Sequence, residues 1–273
     1  MTRRAEPTAE GRVRRIAFLV STGLASAFLV VALLAAYPLL FTNWLPGEAW
    51  LSVRPDRSPG DQVHRLHSLA LAVISWGMLS GVVLQLHRPR RKVGALLMAL
   101  ATVLAVASGS VITGTFTVGG VAPFLVVVLL PAVLHPSAGE LIRVPGVNRP
   151  MLALALLAAG PWIAYALSVG EAARLAGPGG DVDHLMFVAT VALVVPLWAI
   201  IGTAAKPGWA FPAGAAVVAA GCVGLQSLVF PDALSGLEPA WAAAALVWSF
   251  AYGVASRLRS LGDRPTHALS TAA

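Results

Sequence analysis

Charge is what this chain has least of. Asp, Glu, Lys and Arg make up 11% of its 273 residues, while 58% are hydrophobic. A soluble domain carries about 25% charged residues and needs them to stay in water. That shortage, with a mean hydropathy of +0.79, excludes a soluble fold and points to a membrane protein. Cysteine is nearly missing too. The single Cys222 lies inside an apolar run, which excludes an intramolecular disulfide and any CxxC motif. Acids are fewer than bases, and the net charge is +7. The bases sit at the ends of apolar runs rather than on one soluble face, so nucleic acid is not expected and membrane lipids are the expected partners. Enzyme motifs are also absent: there is no Walker A sequence, GxGxxG, GxSxG or HExxH, and no pair of acids at membrane depth.

What is there is a series of long apolar runs. A spanning helix needs roughly 20 apolar residues to cross about 30 Å of hydrocarbon. Eight segments qualify: 16–42, 63–87, 93–113, 117–135, 151–170, 184–203, 209–230 and 238–256. The expected fold is therefore all-α, a polytopic bundle of eight transmembrane helices spanning 16–256. Residues 1–15 form a basic N-terminal tail and 257–273 a C-terminal tail without structure. The first run is too long for a signal-peptide core and reads as a retained helix.

Direction follows from the bases. Fifteen of the nineteen Lys and Arg fall in the tails and alternate connections: 3–15, 88–92, 143–149, Lys206 and 257–264. Four, Arg54, Arg57, Arg65 and Arg174, fall on the other side. The positive-inside rule then puts both termini in the cytoplasm. Trp44, Trp50 and Trp241 fall at the expected outer interface and Trp209 at the inner one, as an aromatic belt requires. The Ala-rich, Arg-over-Lys composition looks like that of a GC-rich bacterial genome, so the expected location is the plasma membrane of a bacterium. Gly77 and Gly81 form a GxxxG on the second span, a site for close helix approach. The inner loop 134–150 carries Ser137 and Glu140 at capping-box spacing, which predicts a short interfacial helix.

An internal echo suggests two four-helix halves in parallel orientation. The second span opens Asp61-x-x-His64 and the sixth opens Asp181-x-x-His184. They close on Arg88-Pro89 and Lys206-Pro207. Such repeats are related by an axis along the membrane normal.

The same helix starts carry the candidate site. Asp61, His64 and His67 fall within about a third of one helix circumference, and His184 opens another helix at the same side with Asp183 beside it. Imidazoles and carboxylates from two helices can bind a divalent metal, zinc or copper by preference. The plainer reading is helix-end chemistry, since acids cap free N–H groups and suit the macrodipole. Imidazoles of His67 and His184 within about 5 Å of each other would favour a joint metal site. Haem is not expected, because His67 and His87 stand about 30 Å apart along one helix at 1.5 Å per residue, with no histidine at middle depth.

Transport is the other functional class. Ion-coupled carriers place ionisable groups inside the membrane, and none lies there. The deep polar residues are neutral: Ser75, Trp76, Ser108, Ser110, Trp162, Tyr165, Thr190 and Gln226. They suit interhelical hydrogen bonds, or a permease for a neutral or amphiphilic solute with a cavity near Ser75 and Tyr165. An enzyme acting on lipid headgroups at the His/Asp rim is a lesser alternative.

The stretch LHPSAGELIRVPGVNRPMLALALLAAGPWIAYAL, residues 134–167, resembles a segment of multi-span membrane proteins of actinobacteria. It covers about an eighth of the chain. The resemblance implies the fold and carries no assigned activity or functional residue. The expectation is thus an integral membrane protein, not an enzyme of a familiar kind, with an outer metal site or a solute path as the sharper alternatives.

Overall fold

The computed structural model describes residues 9–42, 65–143, 146–177, 182–231 and 235–262. Among the described residues every regular element is helical. The helices are α1 Ala9–Thr42, α2 Arg65–Val83, α3 Val93–Thr113, α4 Val118–Leu134, α5 Ala138–Ile142, α6 Arg149–Ala176, α7 Val182–Thr203, α8 Ala210–Val229 and α9 Pro239–Gly262. All eight expected apolar runs appear as helices.

Six of them are long and apolar enough to cross a membrane: stretches of α1, α2, α3, α6, α7 and α8. The other two fall short for different reasons. Helix α4 has 17 residues, about 25 Å at 1.5 Å per residue, the lower limit for a span. In α9 the apolar run is diluted by Trp241, Trp248, Ser249 and Tyr252 and ends at Arg257 and Arg259. Helix α9 also continues through 257–262, so the expected C-terminal tail starts within a helix.

Helix α7 is the centre of the bundle. It packs against α2, α3, α6 and α8. Its sequence explains that place: it is apolar all round, with no polar face to turn outward. Small residues let its neighbours come close. Gly202 meets Ala213 of α8, and Ala189, Ala192 and Ala199 are fully buried. On α2, Gly77 and Gly81 serve two different partners. A side chain at Gly77 would collide with the Trp198 ring of α7, and one at Gly81 with the Ala95 carbonyl of α3.

Each group of four long helices packs in chain order and closes on itself. In the first half α1 packs on α2, α2 on α3, α3 on α4, and α4 closes back on α1. In the second half α6, α7, α8 and α9 follow the same order, with α9 closing on α6.

The basic connections gather at one end of the bundle, where their cations bind helix C-termini. Arg259 of α9 donates to the carbonyls of Gly202, Thr203 and Ala204 at the end of α7, and its guanidinium lies 3.9 Å above the Trp209 ring. Lys206 donates to the Glu140 and Leu141 carbonyls of α5, the latter at 2.9 Å. Arg14 of α1 reaches the carbonyls of Val133 and His135. Free carbonyls and a negative dipole end favour each contact. The short helix α5 forms as expected, but its capping box does not. Ser137 gives no side-chain cap. Its N–H instead donates to His135 Nδ1 at 3.1 Å, and Glu140 lies 3.5 Å from Arg143.

Candidate functional site

At the end opposite the basic connections, α2 and α7 start side by side. Their first turns bring His67 and His184 into contact. The ring centroids are 4.0 Å apart with planes 14° from parallel. Phe187, one turn on, lies 6.1 Å from His67. Of the expected metal set, the structure therefore joins His67 and His184. Asp61 and His64 lie outside the described residues, and so does the side chain of Asp183 in the first turn of α7. No group of three or more His, Cys, Asp or Glu is assembled among the described residues.

The ring geometry decides what the pair does as it stands. A nitrogen lone pair lies in its imidazole plane. Two nearly parallel planes do not converge on one point about 2 Å from both nitrogens, as zinc requires. Stacked, the rings pack; to chelate, one must turn. The other histidines do not join them: His135 is fully buried at the basic end against Phe18, and His87 is exposed there.

A second feature lies on the flank of the bundle, between α6 and α9. Helix α9 leans on α8, and α6 leans on α7. Gly160, Ala164 and Ala244 are too small to fill the gap between them. The result is a groove of about 890 Å³. It runs along α6 from Leu157 to Ala172, about 22 Å at 1.5 Å per residue. Its walls are apolar and aromatic, with Trp162 and Tyr165 on α6 and Trp241 and Trp248 on α9.

Both ends of the groove are fastened. Toward the basic end, Trp248 Nε1 donates to the Leu154 carbonyl of α6 at 2.8 Å. At the far end the Tyr165 hydroxyl donates to the Ser235 carbonyl. Ser235 holds a left-handed backbone, φ 61°, unusual for a residue with a side chain. The connection is pinned again by the Leu237 N–H, which donates to Ser227 Oγ at 3.1 Å. Among the described residues, the hydroxyl and carboxyl groups of the lining lie toward this end: Tyr165, Ser168, Ser235 and the exposed Glu238. Pockets of roughly 300–1,000 Å³ with apolar walls and few polar groups are the usual form of small-molecule sites.

Ser75 does not line the groove, which lies at Tyr165 on the flank of the bundle and not through its middle. Of the deep polar residues read from the sequence, Ser110 and Thr190 bond within their own helices, Tyr165 reaches Ser235, Trp162 is buried in the groove wall and Trp76 is exposed. Four residues outside that set, Trp198, Trp248, Ser249 and Tyr252, bond across helices. Gln226 is fully buried, and neither amide atom finds a hydrogen-bond partner among the described residues. Comparison with protein-family models, curated proteins and solved structures returns no match.

Proposed function

We propose that this chain is a multi-span protein of a bacterial plasma membrane that binds an amphiphilic small molecule in the groove between α6 and α9. The carrying observation is the groove itself: apolar and aromatic along its length, polar at one end, with fixed ends. In this reading all eight long helices cross the bilayer and the basic end faces the cytoplasm, in keeping with the distribution of arginines. The groove then opens sideways into lipid, in the leaflet away from the cytoplasm. A ligand enters from the membrane, with its tail toward Leu157 and its head at Ser168 and Ser235. A solute path through the bundle would build on this site. The packing of each group of four in chain order supports the two-half arrangement that many carriers share.

The test is quenching of tryptophan fluorescence by brominated dodecyl maltoside, with the full chain in nanodiscs. The expected result is saturable quenching that is lost when Ala244→Phe and Ala164→Leu fill the groove. Equal, non-saturating quenching of both proteins overturns the proposal.

A second reading keeps the metal. The 4.0 Å approach of His67 to His184 favours it, and zinc or copper would need one ring to turn and further ligands from Asp61, His64 or Asp183. Metal retained by the purified chain and lost with His67→Ala and His184→Ala supports it. A metal content unchanged by both substitutions removes it.

A further inference from the structure

The charge around the groove is unlike that of the rest of the chain. The protein carries a net charge of +7. Yet in sequence the segments 170–184 and 230–241 hold five acids, Glu171, Asp181, Asp183, Asp232 and Glu238, against Arg174 and His184. Among the described residues, Glu238 is the only charged one lining the groove. Arg174 does not line it. It lies two residues beyond Ala172, the last wall residue of α6, and about 200° round the helix from it at 3.6 residues per turn.

The walls match that charge. An aromatic face attracts a cation, most strongly when water is excluded. Trp162, Trp241 and Trp248 bring three indoles to a groove whose one carboxylate among the described residues stands at its mouth. Glu238 is exposed as it stands; where a bound ligand's body excludes water beside it, a carboxylate discriminates between ligands of opposite sign. A lipophilic anion would meet the same apolar walls and be repelled by that carboxylate.

We propose that the groove takes a lipophilic cation, its aromatic or alkyl body between Trp162, Trp241 and Trp248 and its positive charge at Glu238. The proposal rests on the amphiphile-binding reading and narrows its ligand class.

The test uses a pair of ions of matched size and opposite charge. Radiolabelled tetraphenylphosphonium and tetraphenylborate are dialysed to equilibrium against the full chain in nanodiscs, with protein-free nanodiscs subtracted. The expected result is saturable binding of the phosphonium, weakened tenfold or more by Glu238→Gln and largely kept by Glu238→Asp. Filling the groove with Ala244→Phe, which places a ring where the wall is exposed, should abolish it. Borate binding as strong as phosphonium binding, or a Glu238→Gln protein that binds the phosphonium as well as the wild type, overturns the cation proposal and leaves the groove reading standing. Should neither ion nor the neutral maltoside bind saturably, both readings fall. The melting temperature of each variant separates loss of the site from loss of the fold.

Discussion

The indole of Trp198 occupies the space that a side chain at Gly77 would need. Its Nε1–H reaches past that glycine to α3, donating to the Met98 carbonyl at 3.2 Å and to Thr102 Oγ1 at 3.1 Å. Three helices therefore meet at one ring. Overpacking of a closed core costs about 1–3 kcal/mol. Gly77→Leu is expected to destabilise the fold by that amount in an SDS-titrated unfolding equilibrium. Gly77→Leu combined with Trp198→Ala should recover part of the loss, because the ring that clashes is gone. A Gly77→Leu protein as stable as wild type would show that the three helices do not meet there.

Arg259 makes the strongest polar tie at the basic end. Its fork bonds three successive carbonyls at 3.0–3.1 Å and lies over Trp209. Hydrogen bonds to a charged group contribute about 1.5–3 kcal/mol, and the lost partners are helix-end carbonyls that water can partly reach. Arg259→Ala should therefore cost stability in that range. Arg259→Lys should recover only part of it, since an ammonium cannot span three carbonyls as a planar guanidinium does. The same unfolding equilibrium reads both values.

These two predictions also mark what the sequence discloses. The eight helices were legible because apolar length is a one-dimensional property. The approach of His67 to His184 was legible as a condition, since both open helices at the same side, but the stacking of their rings was not. Gly77 and Gly81 announced close packing without naming their partners. The groove was hidden for a physical reason: it arises where α6 and α9 fail to pack. Nothing in the periodicity of either helix records a missing neighbour. Residues 238–256 read as one more apolar run, yet Trp248, Ser249, Tyr252 and Arg259 tie α9 to α6, α8 and α7.

His135 gives the fold a dependence on acid. It follows the last residue of α4 and is fully buried against Phe18. Burial lowers its pKa below the ordinary 6.5, and the charges of Arg14 and Arg90 push the same way. The unfolded chain takes up a proton near 6.5, whereas the folded chain holds the ring neutral to lower pH. Between those values the unfolded state binds more protons, so stability falls as pH drops below about 6.5. The term is fully favourable above that value. His135→Asn keeps an acceptor for the Ser137 N–H and removes the titration. Unfolding measured from pH 7.5 down to pH 5 should show a smaller loss for the variant than for the wild type. Parallel curves would place the acid sensitivity elsewhere.

The His67–His184 contact can be separated into packing and metal by a double-mutant cycle. Stacked rings contribute about 0.5–1.5 kcal/mol beyond their burial. The two single changes to Ala and the double change should therefore be non-additive by that amount with a chelator present, because a stack needs no ion. A metal adds a different signature. It binds the folded state and stabilises it in proportion to the logarithm of its concentration, so the coupling between the two positions would grow as zinc is titrated in. Coupling that is present in chelator and flat in zinc identifies a stack. Coupling that vanishes in chelator and returns with zinc means that one ring has turned to share a metal.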